Sequence, residues 1–241
     1  MQYDLVSQLR SYQPSQDAID TLRKKKLVIF AGITSAGKNA IMNELVKTGK
    51  FHDLITSTTR APRENNGVLE RDGVDYHFLT TETALAKVRD GAYLEVAPVH
   101  GHINGLLAEE VSKASGEGMI PIVDVDVQGV QTFKNMSDNV VAIFVVPPSY
   151  DEWIRRMRNR YPTDEAFLQA WPPRRESAIM ELQEALSKPY YHFIVNEELT
   201  DAVRAAESIA RNQDQFNQID KSYHIWAERI LAELKAGRGI E

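Results

Sequence analysis

The sequence predicts an α/β fold, a three-layer arrangement in which a parallel sheet lies between helices. Three observations predict it. Residues 27–31, 119–126 and 140–146 are short apolar runs without polar alternation, the pattern of strands buried on both faces. Segments of helical character separate them, and strand–helix alternation builds parallel sheets. The first strand also runs through a glycine-bounded loop straight into a helix, a βα unit with a phosphate-loop motif at its turn.

The elements follow in order. Residues 1–24 predict one or two short amphipathic helices broken at Pro14. A strand at 27–31 leads to a helix at 38–47 and a second strand at 54–58. Residues 60–73 are polar and rich in turn formers, so they predict a loop. Strands at 75–79 and 92–99 flank a helix at 83–89, and a helix at 107–115 follows. The strand at 119–126 ends in acids, and the strand at 140–146 is stopped by Pro147 and Pro148. A basic helix spans 150–160. The next helix, 163–186, is expected to be interrupted at Pro172 and Pro173. A strand at 192–195 precedes a mostly helical 199–234.

Composition narrows the function. The chain has 241 residues, 43% hydrophobic and 26% charged, ordinary for a globular protein with a substantial core. Lys and Arg number 28 and Asp and Glu 34, a net charge of −6, which argues against a nucleic-acid coat. There is no cysteine, which excludes disulfides and thiolate zinc sites. No apolar run approaches the ~20 residues that cross a bilayer, and the N-terminus lacks the hydrophobic stretch of a signal peptide. The expectation is a soluble, cytoplasmic protein without membrane or nucleic-acid partners. The sequence leaves its oligomeric state open.

Directly after the first strand stands Gly32-Ile33-Thr34-Ser35-Ala36-Gly37-Lys38-Asn39, a G-x-x-x-x-G-K pattern. Glycines let the backbone wrap a phosphate chain, and successive N–H groups form an anion nest at a helix N-terminus. Lys38 adds charge near the β and γ phosphates. Asn39 stands where the motif has Ser or Thr, whose hydroxyl ligates Mg²⁺; an Asn carbonyl oxygen is also a Mg²⁺ ligand. The bland alternative is a glycine turn before an ordinary helix. A second signal, Ser57-Thr58-Thr59-Arg60-Ala61-Pro62-Arg63, sits just past a strand. Two arginines separated by a stiffening proline can aim at one anion, since Arg binds phosphate oxygens bidentately. Tyr76 lies ahead in Gly73-Val74-Asp75-Tyr76-His77-Phe78. Here the bland alternative is a solvated polar loop.

The phosphate loop, then S-T-T-R-x-P-R, then G-x-D-Y-x-F, resembles the guanylate kinase family. The resemblance continues through Tyr93-Leu94-Glu95, the stretch from Asp124 to Val130, residues 143–149 and Ile194-Val195-Asn196, covering roughly 26–212. It implies a P-loop kinase with a core sheet, a nucleoside-monophosphate-binding insert at about 57–106 and a helical lid at about 156–188. Residues 1–25 and 213–241 then become N- and C-terminal helical extensions. By the same resemblance Arg60, Arg63 and Tyr76 grip the GMP phosphate, Glu70 matches a glutamate of a loop that is longer here, and Thr56 matches a hydroxyl that reaches the base. Glu95 and Asp126 match acids facing guanine. That pairing is sound chemistry, because a carboxylate only accepts and guanine offers N1–H and N2 amino donors on one edge. Apart from the resemblance, Glu95 reads as an edge-strand charge and Asp126 as a helix N-cap.

Arg156, Arg160 and Arg174 match lid arginines that contact ATP phosphates, Asp124 reads as a Mg²⁺-holding acid at a strand end, and Asn196 matches an asparagine near the adenine. Trp153, Trp171 and Trp226 read as packing residues. Two positions depart from the family: Asn104 takes the place of a tyrosine and Leu106 that of a hydroxyl residue, which weakens the phosphate side of the acceptor pocket. The function implied is ATP- and Mg²⁺-dependent phosphorylation of GMP to GDP by in-line transfer. The alternatives are a weak or inactive guanylate-kinase-like binding module, or a kinase of another nucleoside monophosphate.

Overall fold

A computed structural model describes residues 9, 11–65, 67–99, 101–116, 118–211, 221–238 and 240. The chain divides into two compact units: a core unit of Val28–Phe51, Ile122–Gln131 and Val140–Glu241, and an insert unit of Met1–Leu27, His52–Pro121 and Thr132–Asn139.

The core unit is built on a five-stranded sheet in the order β11-β10-β1-β9-β2. Its strands are β1 (Leu27–Ala31), β2 (Phe51–Asp53), β9 (Ile120–Asp124), β10 (Val140–Val146) and β11 (Tyr191–Val195). β1 pairs parallel with β9, and β10 with β11. Every residue of β1 and β10 is fully buried, as their unbroken apolar runs require. Helices α2 (Lys38–Lys47), α5 (Val127–Met136), α6 (Tyr150–Arg158), α7 (Asp164–Ser187), α8 (Leu199–Arg211) and α9 (Lys221–Lys235) follow the strands. In the core unit α9 packs on α7 and β11. It buries Ala227, Ile230 and Leu234, and Arg175 donates to the Leu234 carbonyl.

The insert unit holds a four-stranded sheet in the order β6-β3-β8-β7, made of β3 (Ser57–Thr58), β6 (His77–Phe78), β7 (Tyr93–Val99) and β8 (His102–Leu107). A small hairpin joins β4 (Glu64–Asn65) to β5 (Val68–Leu69). Helices α1 (Gln16–Lys24), α3 (Thr81–Arg89) and α4 (Ala108–Gly116) complete it. Its core joins Ala84, Tyr93, Val96, Ile103 and Leu107 to Leu9 of the N-terminal segment. Tyr12 donates a 2.6 Å hydrogen bond to the Tyr93 carbonyl, so this segment is part of the unit's packing.

Several elements differ from expectation. The strand expected at 54–58 is two short ones: β2 belongs to the core sheet and β3 to the insert sheet. The loop 60–73 contains the β4–β5 hairpin. β8 and α5 were not expected as a strand and a helix. α7 runs without interruption through Pro172 and Pro173. Both prolines are exposed, and so are Leu168 and Gln169, whose carbonyls lose their helical donors; water can take those bonds. The helix expected at 199–234 is α8 and α9, with 212–220 outside the described residues. Among the described residues no helix is long and apolar enough to cross a membrane.

Candidate active site

The loop between β1 and α2 takes its shape from its glycines. Gly32 has φ +140°, and a Cβ there would stand 2.4 Å from the Val145 carbonyl oxygen. Gly37 has φ +99°, and its Cβ would stand 2.1 Å from Asn196 Nδ2. Among the described residues Ser35, with φ +68°, is the non-glycine residue held in the left-handed region, a strained conformation of the kind found at ligand clamps. Gly37 caps α2 without a side chain, so the first-turn N–H groups stay open to an anion.

The core unit braces this loop through two side chains, from β11 and from α6. Asn196, buried after β11, donates from Nδ2 to the Ala36 carbonyl at 2.9 Å. Trp153, fully buried on α6, donates from Nε1 to the Thr34 carbonyl at 2.7 Å. Ser149 N-caps α6 through the Glu152 amide and sets its start beside the loop. Arg156, one turn after Glu152, donates to Glu152 at 2.7 Å and to the Asn196 carbonyl at 3.1 Å. Hydrogen bonds from Arg155 and Arg156 hold the Glu152 carboxyl at about 2. Arg160, past the end of α6, and Arg174 on α7 are exposed.

Lys38 Nζ donates to the Gly32 carbonyl at 2.6 Å and lies 3.7 Å from Asp124 at the end of β9. Burial pushes the Asp124 carboxyl up, Lys38 opposes the rise and Asp126 adds to it. Glu181 of α7 shares this field. Burial raises its carboxyl, a 2.9 Å hydrogen bond from Ser177 and the charge of Lys38 act the other way, and Asp126 and Asp124 add to the rise. Asp126 caps α5, accepting from the Gly129 amide at 2.7 Å, while its residue remains exposed. Asn39 is exposed on the first turn of α2. Among the described residues no three His, Asp or Glu groups form a metal-holding cluster.

The insert unit gathers a second group. Arg60 makes a two-pronged pair with Glu70, at 2.6 and 3.1 Å, and Glu70 also accepts from the Arg63 amide at 2.8 Å. The guanidinium lies 5.0 Å from the ring centre of Tyr76 and 5.8 Å from that of Phe78. The Arg63 side chain is exposed. Thr56 accepts from the His77 amide through its carbonyl. Glu95 is half-buried on β7, opposite Leu106 of β8. Asn104 accepts a 2.7 Å hydrogen bond from the Thr58 hydroxyl, and Leu106 is 2% exposed and belongs to the core.

Sequence reasoning missed three contributors. Trp153 packs as expected, on Tyr150 and Trp171, but also holds the phosphate loop. Glu181 carried only the Ser177 spacing of four as a signal. Glu152 had a readable one, since it precedes Arg156 by one helical turn.

Comparison with known proteins accords with this geometry. The guanylate kinase family model matches residues 24–213. The chain is 36% identical over 193 residues to a protein named guanylate kinase from Thermotoga maritima, covering 79% of this chain and 88% of that one. It is 37% identical over 186 residues to one from Syntrophotalea carbinolica, covering 76% and 83%. The crystal structure of guanylate kinase from Anaplasma phagocytophilum shares the fold with a TM-score of 0.57 at 23% identity, covering 89% of this chain and 95% of that one. With a phosphate loop in one unit, an arginine–tyrosine group in the other and this extent of similarity, the chain belongs to the guanylate kinase family and is a nucleotide kinase.

Proposed function

We propose that the protein transfers the γ-phosphoryl group of ATP to GMP, forming ADP and GDP. The observation that supports this reading is that one unit holds a glycine loop with open first-turn amides and Lys38, suited to a polyphosphate chain, while the other holds Arg60 beside Tyr76, suited to a single phosphate. The names of the similar proteins support guanine nucleotide as the acceptor.

In this reading the residues from Gly32 to Asn39 cradle the ATP phosphates. Lys38 turns from the Gly32 carbonyl to the β and γ oxygens, and Asn196 and Trp153 keep the loop in its binding shape. Arg156, with Arg160 and Arg174, neutralises charge on the transferring group. Arg60, Arg63 and Tyr76 orient the GMP phosphate so that one of its oxygens attacks the γ-phosphorus in line, forming the new P–O bond as the bond to ADP breaks. Glu70 holds Arg60 in place until phosphate arrives. Thr56, Glu95 and Asp126 face the base, the carboxylates accepting from guanine N1–H and N2.

The donor set fits Mg²⁺. Oxygen ligands suit this ion, which is usually bound through one or two protein groups plus water and substrate phosphates rather than a protein cage. Asp124, half-exposed beside Lys38, and Asn39 would hold it. When bound, the metal supplies charge neutralisation across the β and γ phosphates.

A coupled ADP-release assay with MgATP and each nucleoside monophosphate in turn tests the proposal. GMP should give the highest kcat/KM. No turnover above background with any monophosphate would sink the kinase assignment to this site, and a clear preference for another base would move the acceptor.

A further inference from the structure

Behind the insert sheet lies a carboxylate to which the proposed reaction gives no task. Glu110, in the first turn of α4, is 4% exposed. Its Oε1 is 3.0 Å from His77 Nε2, and its Oε2 is sealed from solvent with no hydrogen-bond partner. A carboxylate oxygen in that position is unfavourable, so something other than its own solvation must account for the placement.

Its partner sits at an informative point. His77 is half of the two-residue strand β6, at the edge of the insert sheet. Backbone bonds join this strand to β3, from the His77 amide to the Thr56 carbonyl and from the Leu79 amide to the Thr58 carbonyl, both 2.9 Å, and on its other side the Phe78 amide donates to Asp72 at 2.8 Å and the Tyr76 carbonyl accepts from Gly73 at 2.9 Å. Side chains alternate across a strand. Tyr76 and Phe78 therefore project to the face where they contact Arg60, and His77 projects to the face where α4 presents Glu110.

We propose that Glu110 is a positioning residue for the acceptor site: through His77 it ties β6 to α4 and so fixes Tyr76 against Arg60. The inference rests on the reading of Arg60 and Tyr76 as the grip on the acceptor phosphate. Glu110 touches neither nucleotide in this account, and its effect appears as acceptor affinity rather than donor affinity.

Calorimetric titration of the full chain with GMP alone, and separately with MgATP, tests it. Glu110→Ala should weaken GMP binding about tenfold, the effect of one lost hydrogen bond or 1.4 kcal/mol. It should leave MgATP affinity within about twofold, a margin below one hydrogen bond's effect. Glu110→Gln, whose amide oxygen can still accept from His77, should restore most of the GMP affinity. Glu110→Met fills similar space without that acceptor and should bind GMP as weakly as Glu110→Ala; wild-type GMP affinity in a folded Glu110→Met protein would reduce the role to packing and overturn the proposal. His77→Ala removes the same tie from the partly exposed edge and serves if Glu110→Ala does not fold. GMP affinity equal to wild type in a folded Glu110→Ala or His77→Ala protein would overturn the proposal. Absence of GMP binding by the wild type would instead overturn the acceptor-site reading on which it stands, and this inference with it.

Discussion

Replacing Gly37 by alanine tests the phosphate loop at its tightest point. The residue has φ +99°, and a Cβ there would stand 2.1 Å from Asn196 Nδ2, the atom that donates to the Ala36 carbonyl. Forcing an L-residue into the left-handed region costs about 1–2 kcal/mol. Displacing Asn196 loses a hydrogen bond of about 0.5–1.5 kcal/mol. The sum, about 1.5–3.5 kcal/mol, predicts MgATP binding weaker by roughly 10- to 400-fold. GMP binding should stay within about twofold, because its proposed ligands from Thr56 to Glu95 lie in the insert unit, and Asp126, in the core unit, is held by the Gly129 amide rather than by Asn196. Asn196→Ala alone loses the hydrogen bond only. Since Gly37→Ala has already broken that bond, the double variant should bind MgATP no more weakly than Gly37→Ala. Calorimetric titrations of the four proteins close the cycle. Gly37→Ala binding MgATP like wild type would refute the close-approach argument, and fully multiplicative losses in the double variant would refute the coupling.

Other predictions follow from single contacts. Trp153→Phe keeps a ring against Tyr150 and Trp171 but removes the donor to the Thr34 carbonyl, so the KM for MgATP should rise about 2- to 13-fold, the range of one hydrogen bond; an unchanged value would show that the loop holds itself. Arg60→Lys exchanges a two-pronged donor for a point charge and should raise the KM for GMP by about 10- to 100-fold with the MgATP KM nearly constant. Steady-state kinetics check this, and equal rises in both would point to a global defect. Glu152 has a folded-state value near 2 against an ordinary 4.5, so it stabilises the fold above pH 4.5, and that contribution is lost as pH falls from 4.5 through about 2. Urea midpoints at pH 5 and pH 3 should therefore differ more for the wild type than for Glu152→Gln; identical differences would remove Glu152 from the acid response.

The strands buried on both faces were legible because their residues admit one environment: β1 and β10 are unbroken apolar runs, and both are fully buried. The phosphate loop was legible because its glycines follow such a strand. α5 escaped because Gly129 and a mixed polar sequence blur its periodicity, although Asp126 gave its N-cap away. β8 escaped because a six-residue strand containing Gly105 offers little alternation. That glycine is required by close approach, since a Cβ there would stand 2.5 Å from the Glu95 carbonyl oxygen. The prolines of α7 predicted a break because local rules ignore the surroundings of the freed carbonyls, and here the residues that carry them, Leu168 and Gln169, are exposed. Pairings across long sequence separations, such as Trp153 with Thr34 and His77 with Glu110, carry no local signal at all. Asn104 and Leu106 were readable as departures, but only the fold shows that Thr58 occupies the Asn104 oxygen and that the core absorbs Leu106.

Phosphorus NMR of the protein mixed with MgATP and GMP measures the proposed transfer most directly. The account predicts that the β- and α-phosphorus signals of GDP grow in step with those of ADP, one for one, as GMP and ATP disappear. ADP appearing with inorganic phosphate while GMP persists, or both nucleotides remaining intact, would contradict it.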